Sequence, residues 1–313
     1  SKMYNLPIDI FNNIIFNNSL NRYNIFYLIL TNKNINLLIK KQYKYIYKGE
    51  SDTRINLANY NNTFEVNLVL CDIYIYNLNN LLNINILNIR CSNLNNSSIK
   101  YLKNIKECVL ASNNDITNVN NLNRLRKLDL SNCNKIIDVS MLGNIYDLDL
   151  SHCKQIIDVS KLGNNKILDL RGCNISNVNT LGNVYSLDLS YNDNISNISG
   201  LNNNYELDIS RCDNITNFLP LKNIIKLNLE ECKQEIKLPD FIKIKYLNVR
   251  KCHNLVYLPN LSNMDYLNIE YCSNIKNKYI LKNIEKLCIN RHTSFNIIRV
   301  INCDINMDNY YYN

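Results

Sequence analysis

Seven cysteines recur at a nearly constant spacing along the chain, and this constrains the fold more than any other feature. They lie 20 residues apart, except for one interval of 39 residues in which Asn192 takes the intermediate place. A unit of about 20 residues is too short to bury an apolar face by itself. The chain is therefore predicted to form a solenoid of stacked units. Each cysteine lies five residues after a leucine; the seven are Cys133, Cys153, Cys173, Cys212, Cys232, Cys252 and Cys272.

Within each unit the apolar residues alternate in the way that is typical of a β-strand. In Leu-Asp-Leu, both leucines point to one face of a strand and the aspartate to the other. Stacked units are therefore predicted to form a parallel sheet, followed by turns, extended chain or 3₁₀ segments. The single 19-residue unit, from Leu168, is expected to lack one residue after Cys173. The twelve units begin at Val66, Leu87, Cys108, Leu128, Leu148, Leu168, Leu187, Leu207, Leu227, Leu247, Leu267 and Leu287.

The repeated frame Leu-x-Leu-x-x-Cys/Asn, found from Val66 to His292, resembles the leucine-rich-repeat family. Its short, cysteine-rich units are similar to those of protist and giant-virus proteins. The resemblance implies an α/β solenoid of about twelve 20-residue units. It also implies a parallel sheet on the concave face, where partners of this family generally bind.

Residues 1–48 do not follow the repeat and are predicted to form short amphipathic helices. Pro7 suits the first turn of a helix, and Ile10 and Ile14 share one face. One interpretation is a cap that seals the end of the solenoid. The other is a resemblance to the F-box, the helical module that docks onto the Skp1-like adaptor of cullin-type ubiquitin ligases. That resemblance implies Leu6, Pro7, Ile10 and Ile14 as the adaptor-binding residues.

The predicted organisation has four parts. A helical module at 1–48 is followed by a connector or first capping strand at 49–65, the repeat array at 66–292, and a C-terminal cap and tail at 293–313. The net charge is +8, and residues 1–60 contain eight basic and three acidic residues. Because the repeats lack a concentrated basic face, we expect no nucleic-acid partner.

The composition favours an intracellular, cytoplasmic protein, in the host cytoplasm if the gene is viral. No apolar run approaches the roughly 20 residues of a membrane span, and the first residues lack the pattern of a secretory signal. We therefore expect a monomer with reduced cysteines and no membrane contact. The abundance of asparagine is attributed to an AT-rich genome and is not used as a functional signal.

The sequence offers little material for catalysis. The three histidines lie in different units, and His152 and His253 are separated by about 24 Å at the strand spacing. Metalloprotease, paired-cysteine and phosphate-loop motifs are absent, and the pair Cys252 and His253 falls short of four zinc ligands. We expect no enzyme, no metal site and no cofactor.

Five aspartates lie one residue after successive unit starts and are predicted to stand about 5 Å apart, where like charges repel. They either form an acidic stripe for a basic partner or a cation, or they belong to the internal structure of the repeat beside a row of serines. Arg171 and Arg211 are expected to interrupt the serine row and to pair with the stripe. The aspartates are Asp129, Asp149, Asp169, Asp188 and Asp208.

From Leu227 onward the outward positions become large and charged. Tyrosine and arginine are typical of binding hot spots, although ordinary solvated strand faces also carry them. The candidate partner-binding residues are Arg171, Arg211, Glu230, Tyr246, Arg250, Tyr266, Glu270 and Tyr271.

Together with the resemblances, these features predict a non-enzymatic protein–protein interaction protein. The F-box resemblance implies a substrate receptor of a host SCF-type ubiquitin ligase, in which the N-terminal module binds the adaptor and the repeats capture an unknown substrate. The alternative is a plain leucine-rich-repeat scaffold whose N-terminal helices only cap the solenoid.

Overall fold

The structure is a computed structural model that describes residues 94–102, 104–261, 264–277, 280–281, 284 and 286–289. It also describes four earlier strands: β1 (Tyr45–Tyr47), β2 (Arg54–Asn56), β3 (Glu65–Tyr76) and β4 (Ile86–Ser92). The predicted adaptor-binding residues Leu6, Pro7, Ile10 and Ile14 lie outside the described residues, as does the predicted tail at 293–313.

A parallel sheet runs the length of the described chain. Its strands follow one another in chain order from β1 through β3 to β14, and β2 pairs with the later part of β3. The remaining strands have three residues each. They are β5 (Glu107–Val109), β6 (Lys127–Asp129), β7 (Asp147–Asp149), β8 (Ile167–Asp169), β9 (Ser186–Asp188), β10 (Glu206–Asp208), β11 (Lys226–Asn228), β12 (Tyr246–Asn248), β13 (Tyr266–Asn268) and β14 (Lys286–Cys288).

The strand register confirms the predicted repeat. The twelve unit starts lie opposite one another in successive strands, from Val66 opposite Leu87 to Leu267 opposite Leu287. This register continues backwards, since Tyr45 in β1 lies opposite Val66. A strand of the sheet therefore occurs within 1–48, the segment predicted to be helical. The domain boundaries themselves stay a prediction.

The shortened unit keeps the same register because its missing residue lies in a turn. Leu168 is opposite Leu187, as the repeat requires. In the preceding unit two residues lie between Cys153 and the buried Ile156, whereas only one lies between Cys173 and the equally buried Ile175. The prediction of a deletion just after the cysteine is confirmed.

The interior of the solenoid is one continuous apolar core. In the unit that starts at Leu148 the buried positions are Leu148, Leu150, Cys153, Ile156, Val159 and Leu162. The rest of each described unit consists of turns and short helical segments, as predicted. These are α1 (Asn96–Ile99) and 3₁₀ turns at Lys100–Leu102, Asn120–Leu122, Ser140–Leu142, Asn179–Leu181 and Leu219–Asn223. Among the described residues no helix has the length and apolarity needed to cross a bilayer.

The cysteine ladder closes the turn that follows each strand. The Cys153 Sγ–H donates to the carbonyl oxygen of Leu130 in the preceding unit, 3.1 Å away, and the Cys133 main-chain N–H donates to the same oxygen. Asn192 replaces the thiol with an amide that donates to two such carbonyls, those of Leu170 and Leu189, both at 2.9 Å. The ladder is therefore a row of hydrogen bonds between units, which requires a small buried donor.

The nine cysteines from Cys108 to Cys288 are free thiols. Burial raises the pKa of Cys232 and Cys272 to about 11. Because the thiolate is the reactive form, these side chains are poor nucleophiles at neutral pH. Their role in the repeat is structural.

Candidate interaction surface

The outward side of the sheet, which we call the sheet face, consists of three rows of side chains. In the unit that starts at Leu148 these rows contain Asp147, Asp149 and Ser151. Because neighbouring strands pair in the same register, equivalent side chains of successive units lie next to one another. The sheet face is the concave side of the solenoid.

The aspartate row has a structural role in every unit that carries it. The Asp129 Oδ1 accepts the main-chain N–H of Ser131 at 2.9 Å, and Asp188 accepts that of Ser190 at 2.8 Å. In later units asparagine makes the same bond, as Asn248 does with the N–H of Arg250. The turn therefore needs an acceptor and not a charge, which supports the interpretation that these aspartates belong to the internal structure of the repeat.

The buried carboxylates of this row nevertheless repel one another. Burial, and then the neighbouring carboxylates, raise the pKa of Asp169, Asp188 and Asp208 to about 6. Arg171 relieves part of this cost as predicted: its guanidinium contacts Asp169 Oδ2 at 2.6 Å and lies 3.9 Å from Asp188 Oδ2. At the end of the row, Asn228 donates to Asp208 at 2.7 Å. Across the described residues, no three His, Cys, Asp or Glu side chains are arranged to hold a metal ion.

Three of the predicted partner-binding residues form an ion-pair ladder on the C-terminal half of the sheet face. Arg250 contacts Glu230 through Nη1 at 2.5 Å and Glu270 through Nε at 3.2 Å. The Arg250 guanidinium also lies 5.5 Å from the ring centroid of Tyr271. Glu230, Arg250 and Glu270 are 20 residues apart in sequence, Tyr271 follows Glu270 directly, and the parallel register brings them together.

Two predicted tyrosines stack beside this ladder but differ in exposure. The rings of Tyr246 and Tyr266 are 4.2 Å apart and nearly parallel. Tyr246 is partly exposed, whereas Tyr266 is only 2% exposed and its hydroxyl contacts the Cys288 sulfur at 3.6 Å. Tyr266 therefore supports its neighbour and offers almost no area of its own to a partner.

The predicted pairing of Arg211 with the aspartate stripe is wrong. Arg211 follows the serine row and occupies the turn residue four positions after the unit start, where φ is 56°. There it pairs with Glu231, which also contacts Lys251, and its guanidinium lies 4.8 Å from the Tyr191 ring centroid. The left-handed turn places the side chain beside the next unit's turn and away from the aspartates.

This left-handed turn recurs in nine successive units, and only Gly172 is a glycine. The conformation costs other residues roughly 1–2 kcal/mol. A main-chain hydrogen bond to the next unit opposes that cost in the eight turns from Ser112 to Lys251; for example, the Arg211 N–H donates to the Glu230 carbonyl at 3.0 Å. The large, variable side chains at this position therefore stand on a rigid backbone.

Two asparagines have a structural role that the sequence did not predict. Asn165 and Asn204 are buried at a position where other units have an apolar residue. The Asn204 amide donates to the carbonyls of Leu181, which ends the 3₁₀ turn of the preceding unit, and of Val184, three residues later. In the sequence, these two asparagines could have been recognised as polar residues at a position that is apolar in other units.

Comparison with known proteins identifies the fold. No protein-family profile matches the sequence, and no curated protein matches it. The structure is similar to that of an internalin (inlF) from Listeria monocytogenes, at 19% identity and a TM-score of 0.55, over 80% of this chain and 83% of that chain. The chain has the leucine-rich-repeat fold.

Two further structures are similar at lower scores. The functional domain of InlJ from Listeria monocytogenes, which includes a cysteine ladder, is 18% identical with a TM-score of 0.46, over 83% of this chain and 65% of that chain. A leucine-rich-repeat protein of Leptospira interrogans is 19% identical with a TM-score of 0.43, over 74% and 79%.

Proposed function

We propose that this chain is a protein-binding scaffold and that its sheet face contacts the partner. The observation that carries the proposal is the ladder of Glu230, Arg250 and Glu270 beside Tyr246, which occupies the row that is mostly serine in the earlier units. These side chains are already held by contacts within the protein. Binding would therefore order few additional rotamers, which favours affinity.

The two halves of the sheet face differ in charge, and this would orient a partner. The N-terminal half presents the aspartate row, with Arg171 as its internal cation, whereas the C-terminal half presents alternating charges with exposed aromatic area. Complementary potentials accelerate association and select the register of binding. A partner segment with basic residues toward the N-terminal half fits this distribution.

The test is partner capture from host lysate by the purified chain. The double substitution Tyr246→Ala and Arg250→Ala should abolish capture if the sheet face is the contact surface. Tyr257→Ala with Lys276→Ala is the matched control, because it removes a cation–tyrosine pair (5.9 Å) that lies off the sheet face. Circular dichroism should show both variants folded. Equal capture by the two variants would place the binding surface elsewhere.

We further propose that the chain recruits its partner to a ubiquitin ligase as an intracellular F-box protein. The support is the sequence pattern of residues 1–48, with Leu6, Pro7, Ile10 and Ile14 at the adaptor-facing positions. The test is binding of a purified Skp1-like adaptor to the intact chain and to the double variant Leu6→Ala and Ile10→Ala. Adaptor binding by the intact chain, together with loss of that binding in the double variant, supports the ligase role. If the intact chain does not bind the adaptor, the ligase role fails and the plain scaffold remains.

A further inference from the structure

A second ordered surface lies along the edge of the sheet face, at the position two residues before each unit start. The main chain there is fixed from unit to unit, because each carbonyl accepts N–H groups from the next unit; for example, the Tyr146 carbonyl accepts those of Lys166 and Ile167 at 3.0 and 2.9 Å. We call this row the cation–tyrosine edge. It consists of Lys106, Arg126, Tyr146, Lys166, Tyr185 and Tyr205.

Two of the three cations of this edge lie over aromatic rings. The Arg126 guanidinium lies 5.5 Å from the Tyr146 ring centroid, and the Lys166 ammonium lies 3.9 Å from that of Tyr185. Tyr185 stacks in turn on Tyr205, with ring centroids 4.4 Å apart. Such contacts hold a cation in place without neutralising its charge.

No carboxylate of the described chain lies within ion-pair distance of Lys106, Arg126 or Lys166, and all three side chains are exposed. This distinguishes them from other cations on and beside the sheet. Lys245 occupies the same row farther along and pairs with Asp265 at 3.3 Å. Lys127, next to Arg126 in sequence, pairs with Asp147 at 2.8 Å. The edge therefore presents three positive charges that no carboxylate of the described chain neutralises.

We propose that the cation–tyrosine edge binds an extended acidic segment of a protein partner. Arg126 and Lys166 are two strands apart, or about 10 Å at the usual strand spacing. An extended segment in the polyproline II conformation has three residues per turn and rises about 3.1 Å per residue, so its carboxylates three residues apart lie on one face at nearly the same separation. The tyrosine hydroxyls between and beside the cations can donate hydrogen bonds to the same carboxylates.

The geometry favours an acidic peptide over a nucleic acid. Single-stranded nucleic acids gain much of their affinity by stacking bases on aromatic faces. On this edge Tyr185 is covered by Lys166 on one face and by Tyr205 on the other, and Arg126 covers Tyr146. A phosphate backbone would also run within about one Debye length of the aspartate row, which repels it. A peptide, unlike a phosphate backbone, can have acidic residues opposite the basic side chains of the edge and neutral residues elsewhere.

This inference rests on the proposed scaffold function and names the chemistry of the partner along one edge. The two can fail independently. Substitution of Tyr246 and Arg250 leaves the edge intact, and substitution of the edge lysines leaves the sheet face intact. Loss of lysate capture by the sheet-face variant alone therefore concerns the proposed function, whereas peptide binding concerns the edge.

The experiment measures fluorescence anisotropy of a labelled peptide with glutamate at every third position, and of the same peptide with glutamine instead. The edge variant is Lys106→Gln with Lys166→Gln. Its control, Lys154→Gln with Lys161→Gln, removes the same charge from exposed lysines elsewhere on the solenoid. We expect the glutamate peptide to bind wild type at low salt, and the edge variant to lose about fivefold or more in affinity while the control loses less than about twofold.

Three results would overturn the proposal: no binding of the glutamate peptide by wild type, equal losses in the two variants, or no preference for glutamate over glutamine. Equal losses would mean that overall charge, and not the edge, attracts the peptide. A single-stranded oligouridylate is the competing probe. If it binds wild type more tightly than the peptide and the edge variant loses that binding, the edge recognises nucleic acid and the peptide assignment is wrong.

Discussion

Replacing Asp188 with asparagine should stabilise the protein at neutral pH, although it changes a residue in the regular repeat. Asp188 lies between Asp169 and Asp208 in the aspartate row, and the two flanking positions carry the same charge. Within the turn, Asp188 accepts the Ser190 main-chain N–H at 2.8 Å. The side-chain oxygen of an asparagine can accept the same hydrogen bond. Asn228, Asn248 and Asn268 make the equivalent contact in later units.

The magnitude follows from the pKa of Asp188. Burial and the neighbouring Asp169 raise this pKa to about 6, against about 3.9 for an unfolded chain, which corresponds to about 3 kcal/mol of free energy. Part of this cost is desolvation, which a buried amide also incurs, and Arg171 loses a nearby charge. We therefore expect Asp188→Asn to raise the free energy of unfolding by about 1–2 kcal/mol at about pH 8.

The pH dependence has a definite sign. Because the folded state raises the pKa of Asp188, this group destabilises the fold when ionised, and that cost is complete above about pH 7. Protonation removes the cost as the pH falls through about 6, and little remains near pH 4. The advantage of the asparagine variant should therefore shrink over the same interval.

The assay is urea unfolding followed by circular dichroism at several pH values between about 4.5 and 8. Asp138→Asn is the control, since the exposed Asp138 accepts the Ser140 N–H at 2.9 Å and this bond lowers its pKa. That variant should be neutral or slightly less stable at neutral pH, the opposite direction. If Asp188→Asn is destabilising at about pH 8, or shifts the midpoint equally at pH 5 and pH 8, the electrostatic argument is refuted.

Three further results are expected. Peptide-resolved alkylation at about pH 8 should leave Cys232 and Cys272 unmodified until urea unfolds the chain, because burial raises their pKa to about 11; rapid labelling of the native protein would contradict this. Cys153→Ala should lower the unfolding free energy by about 1–2 kcal/mol, since the Leu130 carbonyl loses the thiol donor, and an unchanged urea midpoint would refute that. Gly143→Ala should lower the free energy of unfolding by more than about 2 kcal/mol, because the added Cβ would lie 2.0 Å from the Lys161 carbonyl oxygen. Asn144→Ala, at the exposed neighbouring residue, should change it little in the same assay.

The repeat could be predicted from local spacing because the core positions of one unit recur in the next. Leu148, Leu150, Cys153 and Ile156 form a pattern that is readable in any single unit, and the sheet register followed from it. The candidate surface was only partly predictable. Arg171, Glu230, Arg250 and Glu270 lie on the sheet face as the alternation predicted, whereas Tyr266 is buried and Arg211 lies in the turn beyond the row. The cation–tyrosine edge was not predicted, because the Leu-x-Leu frame begins two residues after it.

Pairs of similar residues show where the sequence pattern stops being informative. Tyr246 and Tyr266 occupy equivalent positions in two units that both read Tyr-Leu-Asn, yet one is partly exposed and the other is buried. Arg171 lies in the serine row and reaches the aspartates, whereas Arg211 lies one position farther and contacts Glu231. Cys288 beside Tyr266 and Glu231 beside Arg211 both belong to the following unit, and Arg171 reaches Asp188 of the following unit as well as Asp169 of its own.

The amino-acid sequence by itself therefore determined the period of the units, their register and the identity of the inward-facing residues. Those properties depend on periods of two and about twenty residues along one chain. Only the tertiary structure decided which outward side chains are covered, which charges are paired and which carboxylates resist ionisation. The physical reason is that exposure, pairing and pKa depend on distances across the sheet, where residues about twenty positions apart come within roughly 5 Å of each other.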